Sequence, residues 1–347
     1  MTDRLRVLVD VTHPAHVHLF RNAVDALEAR GHEVRIAARE KDVTTDLLDA
    51  HGLDYAVCSA KREGPMALPR EWALREVTLY RYARAFGPDV VLSHLNPAAA
   101  HVAAAVGARS VVFHDTEIAD AVERFTLPFV DTVCTPTEFA RDLPGDHVRY
   151  AGFHELAYLH PARFDPDPDV LGRNGVDPES PYSVVRLVSM DAHHDVGTDG
   201  FGRETVQRLV DGLGAHGDVY VSTEGPLPGA FADHALPVES HELLDLLAFA
   251  DCYVGDSGTM ATEAGVLGTP AVRYDPLDAE MGNFTALADY GLVESTTDEA
   301  AAVDRAVELA GDPNAGQRWR RRRRDLLADK VDVTAFTVAL AEEVAGS

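Results

Sequence analysis

Lysine is almost absent from this sequence of 347 residues, where it occurs only at positions 41, 61 and 330. Arginine supplies nearly all of the 31 basic residues, against 57 acidic ones, and the formal net charge is −26. General nucleic-acid binding requires a basic footprint, so this charge argues against that class of protein. An acidic surface that is poor in lysine fits a protein kept soluble in high salt, and we predict halophilic adaptation.

Cysteine and long apolar runs are also scarce. The three cysteines, Cys58, Cys134 and Cys252, are scattered through apolar segments, which predicts buried free thiols rather than disulfides. No apolar run approaches the length of a membrane span, and residues 1–10 lack the layout of a signal peptide. These features predict a cytoplasmic protein.

The first strand-to-helix turn lacks the GxGxxG pattern of classical dinucleotide sites, which weakens any NAD-binding interpretation. What is present is a regular alternation of apolar strands with amphipathic helices in both halves of the chain. This pattern predicts an α/β protein with doubly wound parallel sheets. The stretch 161–181 is dense in proline, aspartate and glycine and is the best candidate for a linker between domains 1–160 and 182–347.

The segment 251–273, DCYVGDSGTMATEAGVLGTPAVR, organises the second half. A short apolar strand leads through Ser257, Gly258 and Thr259 into a helix of small residues. The free N–H groups and positive end of that helix favour an anion, the two hydroxyls add donors, and the glycine allows close approach. Glu263, one turn into the helix, can accept hydrogen bonds from a ribose diol. The segment therefore predicts a site for a nucleotide diphosphate.

The string DSGTMATEAGVLGTPAVR resembles the nucleotide-sugar motif in the second domain of glycosyltransferases with the B-type fold (GT-B). It is similar to the matching segments of UDP-N-acetylglucosamine 2-epimerases and of the transferase that makes lipid II. Over most of the chain, the strings VTHPAHVHLFRNAVDALEARGHEV, HDTE, STEGPLP and DSGTMATEAGVLGTP resemble a largely archaeal family catalogued as domain of unknown function 354. The resemblance implies two Rossmann-like domains with a cleft between them, and terminal helices that return to the first domain.

The resemblance also implies which residues bind the nucleotide sugar. In the related folds, the loop after the first strand of the second domain contacts the donor. The implied set is Ser257, Gly258, Thr259, Met260, Glu263, Arg186, Asp191, His193 and Glu224. The simpler interpretation of Ser257 is a helix N-cap, and Glu224 belongs to a polar loop that needs no function.

Histidines cluster at the start of the first helix. His13, His16 and His18 could form a metal centre if they clustered with His94, His101, His114 and Asp115. However, their HxxHxH spacing is not the i, i+4 helical spacing and has no acidic residue beside it, so we predict no metal centre. One or two of these rings can instead cap helix ends or bond to the backbone. His16 matches the first-domain histidine of the lipid II transferase, which implies a general base or a donor to the leaving diphosphate.

The residues 114–117, HDTE, follow a predicted strand at the carboxyl edge of the first sheet, where α/β folds place ligands. They resemble the HEQN of lipid II transferases, so His114, Asp115 and Glu117 should face the acceptor. Asp115 or Glu117 can deprotonate an acceptor hydroxyl, and either can equally cap the following helix.

The arginines at 318 and 320–324 form the one basic cluster of the sequence. A helix face paired with nearby carboxylates is the favoured interpretation. The alternative is an edge that meets anionic lipid head groups, which would suit a lipid-linked acceptor and peripheral contact with the inner membrane face.

These features predict a glycosyltransferase whose donor is a nucleotide sugar, with a UDP-sugar as the first candidate. The predicted reaction needs no metal ion or other cofactor and belongs to the synthesis of cell-surface glycans or glycolipids. One alternative is a UDP-N-acetylhexosamine 2-epimerase, although the GTRPE-like stretch of that family is VTHPAH here. Another is a non-catalytic partner protein that binds sugar nucleotides. Fold similarity does not choose among the three.

Overall fold

The computed structural model describes residues 4–61, 67–188, 200–223, 227–277 and 281–346. The chain divides into two compact units. The first comprises residues 1–163 and 330–347, and the second comprises residues 164–329. Each unit has one parallel sheet with helices between its strands.

The first unit is built on a seven-stranded sheet in the order β3-β2-β1-β4-β5-β6-β7, with every pair parallel. Its strands are β1 Arg6–Val11, β2 Glu33–Glu40, β3 Tyr55–Ala60, β4 Val90–His94, β5 Arg109–Phe113, β6 Thr132–Pro136 and β7 Asp146–Tyr150. Its helices are α1 Pro14–Ala29, α2 Thr44–Ala50, α3 Ala67–Phe86, α4 Pro97–Val106, α5 Asp120–Thr126, α6 Leu156–Leu159 and, at the end of the chain, α14 Val333–Ala345. The strand order reverses between β1 and β4, and a doubly wound sheet binds its ligands at such a point.

The second unit has a five-stranded sheet in the order β12-β11-β10-β8-β9, again with every pair parallel. Its strands are β8 Tyr182–Leu187, β9 Asp218–Thr223, β10 Cys252–Gly255, β11 Ala271–Tyr274 and β12 Val293–Thr296. Its helices are α7 Pro168–Arg173, α8 Arg203–Gly214, α9 Leu243–Phe249, α10 Gly258–Leu267, α11 Gly282–Asp289, α12 Glu299–Ala310 and α13 Ala315–Asp329. Here the order reverses between β8 and β10.

Short polar residues start the helices near both reversal points. Asn96 caps α4 by accepting from Ala98 N–H, with Pro97 at the first helical position. Ser257 caps α10 in the same way, and Gly268 ends that helix in the left-handed conformation at φ 85°. These local signals are the reason that strands lead directly into helices at the carboxyl edges of both sheets.

The stretch 161–181, which the sequence predicts as a linker, contains helix α7. Asp167 caps this helix and Pro168 occupies its first position, so aspartate and proline here mark a helix start. Of the last two helices, α13 belongs to the second unit and α14 to the first. The α14 residue Glu342 accepts bonds from Arg30 and His32, at 2.8 and 3.0 Å.

The three cysteines are buried and free, which confirms the prediction of unpaired core thiols. Burial raises the pKa of the Cys58 thiol to about 11 and that of Cys252 to about 12, so both are protonated at neutral pH. None of the helices in the described ranges combines the length and apolarity that a membrane-spanning segment requires.

His18 makes the first unit sensitive to acid. Its ring is buried in α1 and stacks on Tyr158 with centroids 5.0 Å apart. Burial lowers the pKa of His18 to about 3, and Arg21 and His51 act in the same direction. The neutral His18 ring therefore contributes to the free energy of unfolding above pH 6.5. This contribution is lost as the pH falls from 6.5 toward 3, because the unfolded chain binds a proton at His18 in this range and the folded chain does not.

We therefore expect His18→Phe, which keeps a stacked ring but cannot be protonated, to reduce the acid sensitivity of the fold. Chemical denaturation at about pH 7 and about pH 4.5 should show a smaller drop in the free energy of unfolding for the variant, by about 2–3 kcal/mol. If the free energy of unfolding fell by the same amount in the wild type and in His18→Phe, the buried His18 ring would not be held in its neutral form.

Candidate functional site

In the second unit, the predicted phosphate-binding residues lie where β10 leads into α10, beside the point of strand reversal. Ser257 is the N-cap, and its Oγ accepts from Met260 N–H at 3.4 Å. Thr259 is exposed, whereas the Met260 side chain is only 6% exposed. The structure thus presents the hydroxyl of Thr259 to solvent at the positive end of a helix and packs Met260 into the core.

Gly258 is restricted to a small residue by its neighbours. A Cβ at this position would lie 3.0 Å from the Phe284 ring, and that ring stacks under the Arg273 guanidinium at 3.7 Å. Arg273 also bonds to Asp275 at 2.7 Å, while its buried Nε has no hydrogen-bond partner in the described part of the chain. A cationic side chain therefore lies beside the start of α10, where a phosphate would be stabilised.

A cavity of about 310 Å³ lies at the carboxyl ends of β11 and β12. Its lining includes Arg273, Asp275, Phe284, Thr285 and Ser295. The sequence prediction did not include Arg273 or Asp275. The available signal was their position at the end of a buried strand, next to the predicted motif.

Of the other residues predicted to bind the nucleotide sugar, two lie in the described part of the chain and three lie outside it. Glu263 is 5% exposed and lies one turn into α10, as its spacing predicts, and Arg186 in β8 donates to Ser222 Oγ at 2.6 Å. Asp191, His193 and Glu224 lie outside the described residues. The neighbouring Asp256 accepts from Val188 N–H at 2.7 Å, and burial raises the pKa of its carboxyl group.

In the first unit, His16 lies in the first turn of α1, which His13 caps. The His16 ring stacks on His94 from the end of β4, with centroids 4.7 Å apart. Its Nδ1 lies 3.4 Å from Thr12 N–H. Because a backbone N–H can only donate, Nδ1 is the acceptor and the neutral ring carries its proton on Nε2. Burial lowers the pKa of His16 well below its usual value, and His94 acts in the same direction.

Asp115 lies between two imidazoles at the carboxyl edge of the first sheet. Its Oδ1 is 3.3 Å from His94 Nε2, and its Oδ2 is 3.0 Å from His154 Nδ1. Burial by itself would raise the pKa of Asp115, but the contacts with His154 and His94 hold it well below its usual range. A carboxylate with so low a pKa is a weak base, so Asp115 orients and stabilises its neighbours.

The sequence analysis named His94 with Asp115 among the residues of a possible metal centre, but it did not include His154. His94 ends β4, and His154 follows β7, so both lie at the same edge of the sheet as Asp115. A histidine after a predicted parallel strand is a usable signal, because the carboxyl ends of all strands in one sheet meet at one edge.

His114 and Glu117, which the sequence also predicts to face the acceptor, do not join the contacts of Asp115 with His94 and His154. His114 is fully buried, and its Nε2 contacts Glu123 Oε1 at 2.8 Å, beside Arg141. Glu117 accepts from Ala140 N–H at 3.3 Å. Because successive side chains at a strand end alternate in direction, Asp115 faces the histidine cluster while His114 packs into the core.

Three of the six arginines at 318 and 320–324 contact the fold of the second unit, while Arg320, Arg321 and Arg324 are exposed. Arg322 donates to Gly291 O at 2.7 Å and lies over the buried Trp319 ring. Arg323 donates to Val266 O at 2.8 Å, and Arg318 pairs with Asp312. Arg322 and Arg323 thus bind carbonyl groups near the carboxyl ends of α11 and α10, where cations stabilise helices.

Comparisons with known proteins give a family match within the first unit and a related sequence over most of the chain. Residues 17–149 match the family model described as a glycosyl transferase 4-like domain. An uncharacterised protein of Methanocaldococcus jannaschii is 22% identical over 290 residues, which cover 78% of this chain and 82% of that protein.

Solved structures match over nearly the whole length. The spinosyn forosaminyltransferase SpnP has a TM-score of 0.65 and 17% identity, and the match covers 99% of this chain and 100% of that one. A Listeria monocytogenes protein named as a UDP-N-acetylglucosamine 2-epimerase has a TM-score of 0.65 and 13% identity over 92% of this chain and 91% of that one. With its two parallel, doubly wound sheets, the chain therefore has the B-type glycosyltransferase fold, as two Rossmann-like domains.

Proposed function

We propose that this protein is a glycosyltransferase that takes its sugar from a nucleotide diphosphate, with a UDP-sugar as the first candidate. The start of α10 is the observation that carries this proposal. It combines a capped helix N-terminus, the exposed Thr259 hydroxyl and the neighbouring guanidinium of Arg273. Helix dipole, hydroxyl and guanidinium all stabilise the negative charge of a leaving diphosphate. Departure of the diphosphate at this site therefore needs no metal ion.

The first unit supplies the acid–base groups in this proposal. His16 carries a proton on Nε2 and is a hydrogen-bond donor to charge that develops during transfer. The cluster of His94, Asp115 and His154 takes the proton of the acceptor hydroxyl, with the Asp115 carboxylate stabilising the positive charge. A sugar hydroxyl, including that of a lipid-linked sugar, is the proposed acceptor.

The proposal is tested by binding and turnover in high salt with a panel of nucleotide diphosphates and their sugars, with and without EDTA. Ligands of the folded protein raise its melting temperature. A UDP-sugar should raise it, and UDP should be released only when a hydroxyl acceptor is present. Absence of binding by every nucleotide would show that α10 begins as an ordinary capped helix and would overturn the proposal.

Thr259→Val separates nucleotide binding from stability. Valine keeps the branched shape of threonine and removes only the exposed hydroxyl, so the melting temperature should stay close to that of the wild type. The affinity for the nucleotide diphosphate should fall about 10- to 100-fold, since hydrogen bonds to charged groups contribute about 1.5–3 kcal/mol. Isothermal titration calorimetry measures this change.

The matched control is Thr78→Val, which makes the same substitution at an exposed helical threonine of the first unit. Its affinity for the nucleotide should equal that of the wild type. Equal affinities of Thr259→Val and Thr78→Val would remove the Thr259 hydroxyl from the proposed site.

Epimerisation of a UDP-N-acetylhexosamine is the second candidate. The histidine–aspartate cluster is the observation in its favour, because epimerisation needs an acid and a base around one sugar. Interconversion of two hexosamine nucleotides without any acceptor, followed by NMR, would select this activity over transfer.

A further inference from the structure

The ends of three strands bring His94, Asp115 and His154 together in the first unit. Their candidate ligand atoms all lie within 4.8 Å of one another. His94 ends β4, while Asp115 and His154 follow β5 and β7, so the sheet holds each residue on a separate rigid element. Thr116 Oγ1 donates to Asp115 Oδ1 at 3.1 Å and orients the carboxylate.

The distances within this cluster are close to those between neighbouring ligands of one ion. Asp115 Oδ1 lies 3.3 Å from His94 Nε2, and Asp115 Oδ2 lies 3.0 Å from His154 Nδ1. Nitrogen and oxygen ligands bound to zinc at about 2.0–2.2 Å are separated by about 3.3–3.6 Å at tetrahedral angles. The two distances join different oxygens of Asp115, so a shared ion requires the side chains to shift.

The two ring nitrogens of His154 have different surroundings. Its side chain is more than nine-tenths buried, its Nδ1 contacts Asp115 Oδ2 at 3.0 Å, and its Nε2 has no hydrogen-bond partner among the described residues. The nitrogen that would bind an ion together with Asp115 is Nδ1, so the geometry of the three ligand atoms, rather than the unpartnered Nε2, supports the site.

We infer that His94, Asp115 and His154 form a binding site for a divalent transition-metal ion. Two imidazoles and one carboxylate suit zinc or a neighbouring first-row ion better than magnesium, which prefers oxygen ligands. Three protein ligands also leave coordination positions for a water or a hydroxyl group, as in catalytic zinc sites.

The chemical role of this ion rests on the proposed function, whereas its binding does not. If bound, the ion would replace the free cluster residues as the group that activates the acceptor. It would lower the pKa of a coordinated hydroxyl group, and the proton released would pass to solvent. The ion would thus activate the acceptor in the first unit, and the start of α10 would stabilise the leaving diphosphate in the second.

The test uses the full chain without a histidine tag, freed of metal by EDTA and then dialysed against ZnCl₂ or CoCl₂. We expect about one tightly bound ion per chain by mass spectrometry of metals, and Co²⁺ should give the visible absorption of a four- or five-coordinate site. His94→Gln, Asp115→Asn and His154→Gln should each weaken the affinity more than about 100-fold, since even loss of residues that only support ligands costs 10- to 100-fold.

His101→Gln is the matched control, because His101 bonds to Glu76 and Phe125 O and belongs to no such cluster. It should bind the ion like the wild type. Melting temperatures measured in EDTA establish that each variant is folded before its affinity is interpreted. A wild-type chain that binds no ion, or cluster variants that bind as well as His101→Gln, would show a purely hydrogen-bonded cluster and overturn the inference. The metal-binding assay contains no nucleotide or acceptor. Its outcome is therefore independent of whether the protein has the proposed transferase activity.

Discussion

Replacing His16 with phenylalanine should lower the rate of glycosyl transfer about 10²- to 10³-fold, the usual cost of removing one donor to developing charge. Phenylalanine keeps the ring that stacks on His94 and removes the Nε2 proton that the Thr12 N–H fixes on His16. The effect should appear in kcat, while the affinity for the free nucleotide diphosphate stays close to that of the wild type. Steady-state kinetics and calorimetry measure the two quantities.

His18→Phe is the control for this experiment. It makes the same substitution two residues later in α1, at a buried ring that stacks on Tyr158. Its kcat should be unchanged. His16→Gln, which keeps an N–H donor, should recover part of the lost rate. Similar kcat values for His16→Phe and the wild type would exclude His16 from the chemistry.

The second large effect is on stability, at the buried ion pair of Asp10 and Arg75. Asp10 is 1% exposed at the end of β1, and both Arg75 and Asn96 donate to its carboxylate. Asp10→Ala leaves the Arg75 guanidinium buried without its partner. Because an uncompensated buried charge is costly, we expect the free energy of unfolding to fall by about 3–5 kcal/mol. Chemical denaturation followed by circular dichroism measures this loss.

Glu33→Ala tests the same chemistry at the surface. Glu33 pairs with Arg35 at 3.4 Å, with 37% and 43% of the two side chains exposed. Solvent screens such a pair, so the loss should be about 1 kcal/mol or less. Equal losses for Asp10→Ala and Glu33→Ala would show that burial of the Asp10 pair does not matter.

In the predicted motif at 251–273, residues close in sequence are enough to predict where helix α10 begins and ends. Ser257 caps α10 and Gly268 ends it, and both signals are readable because capping depends on residues a few positions apart. Predicted strands such as Cys252–Gly255 were recognisable for a similar reason, since strands of a parallel sheet covered on both faces are continuous apolar runs. The same motif did not reveal Arg273, whose guanidinium lies over a ring from a later helix.

The histidine cluster depends on contacts between distant parts of the sequence. The pattern HxxHxH drew attention to the start of α1, yet the residues that meet Asp115 are His94 and His154. The pattern HDTE treated His114 like its neighbour, although His114 is buried against Glu123. Residues close in sequence can indicate that His94 and Asp115 follow strands and that His114 and Asp115 point in different directions, but they do not determine which strand ends are adjacent.

The sequence by itself determined the α/β class, the alternation of strands and helices, the buried thiols and the start of α10. Each of these depends on composition, periodicity or capping within a short stretch of chain. The tertiary structure alone decided which strand ends are adjacent, and so placed His94, Asp115 and His154 within reach of one another. The physical reason is that strand order within a sheet arises from packing between distant segments, and this order fixes which side chains share an edge.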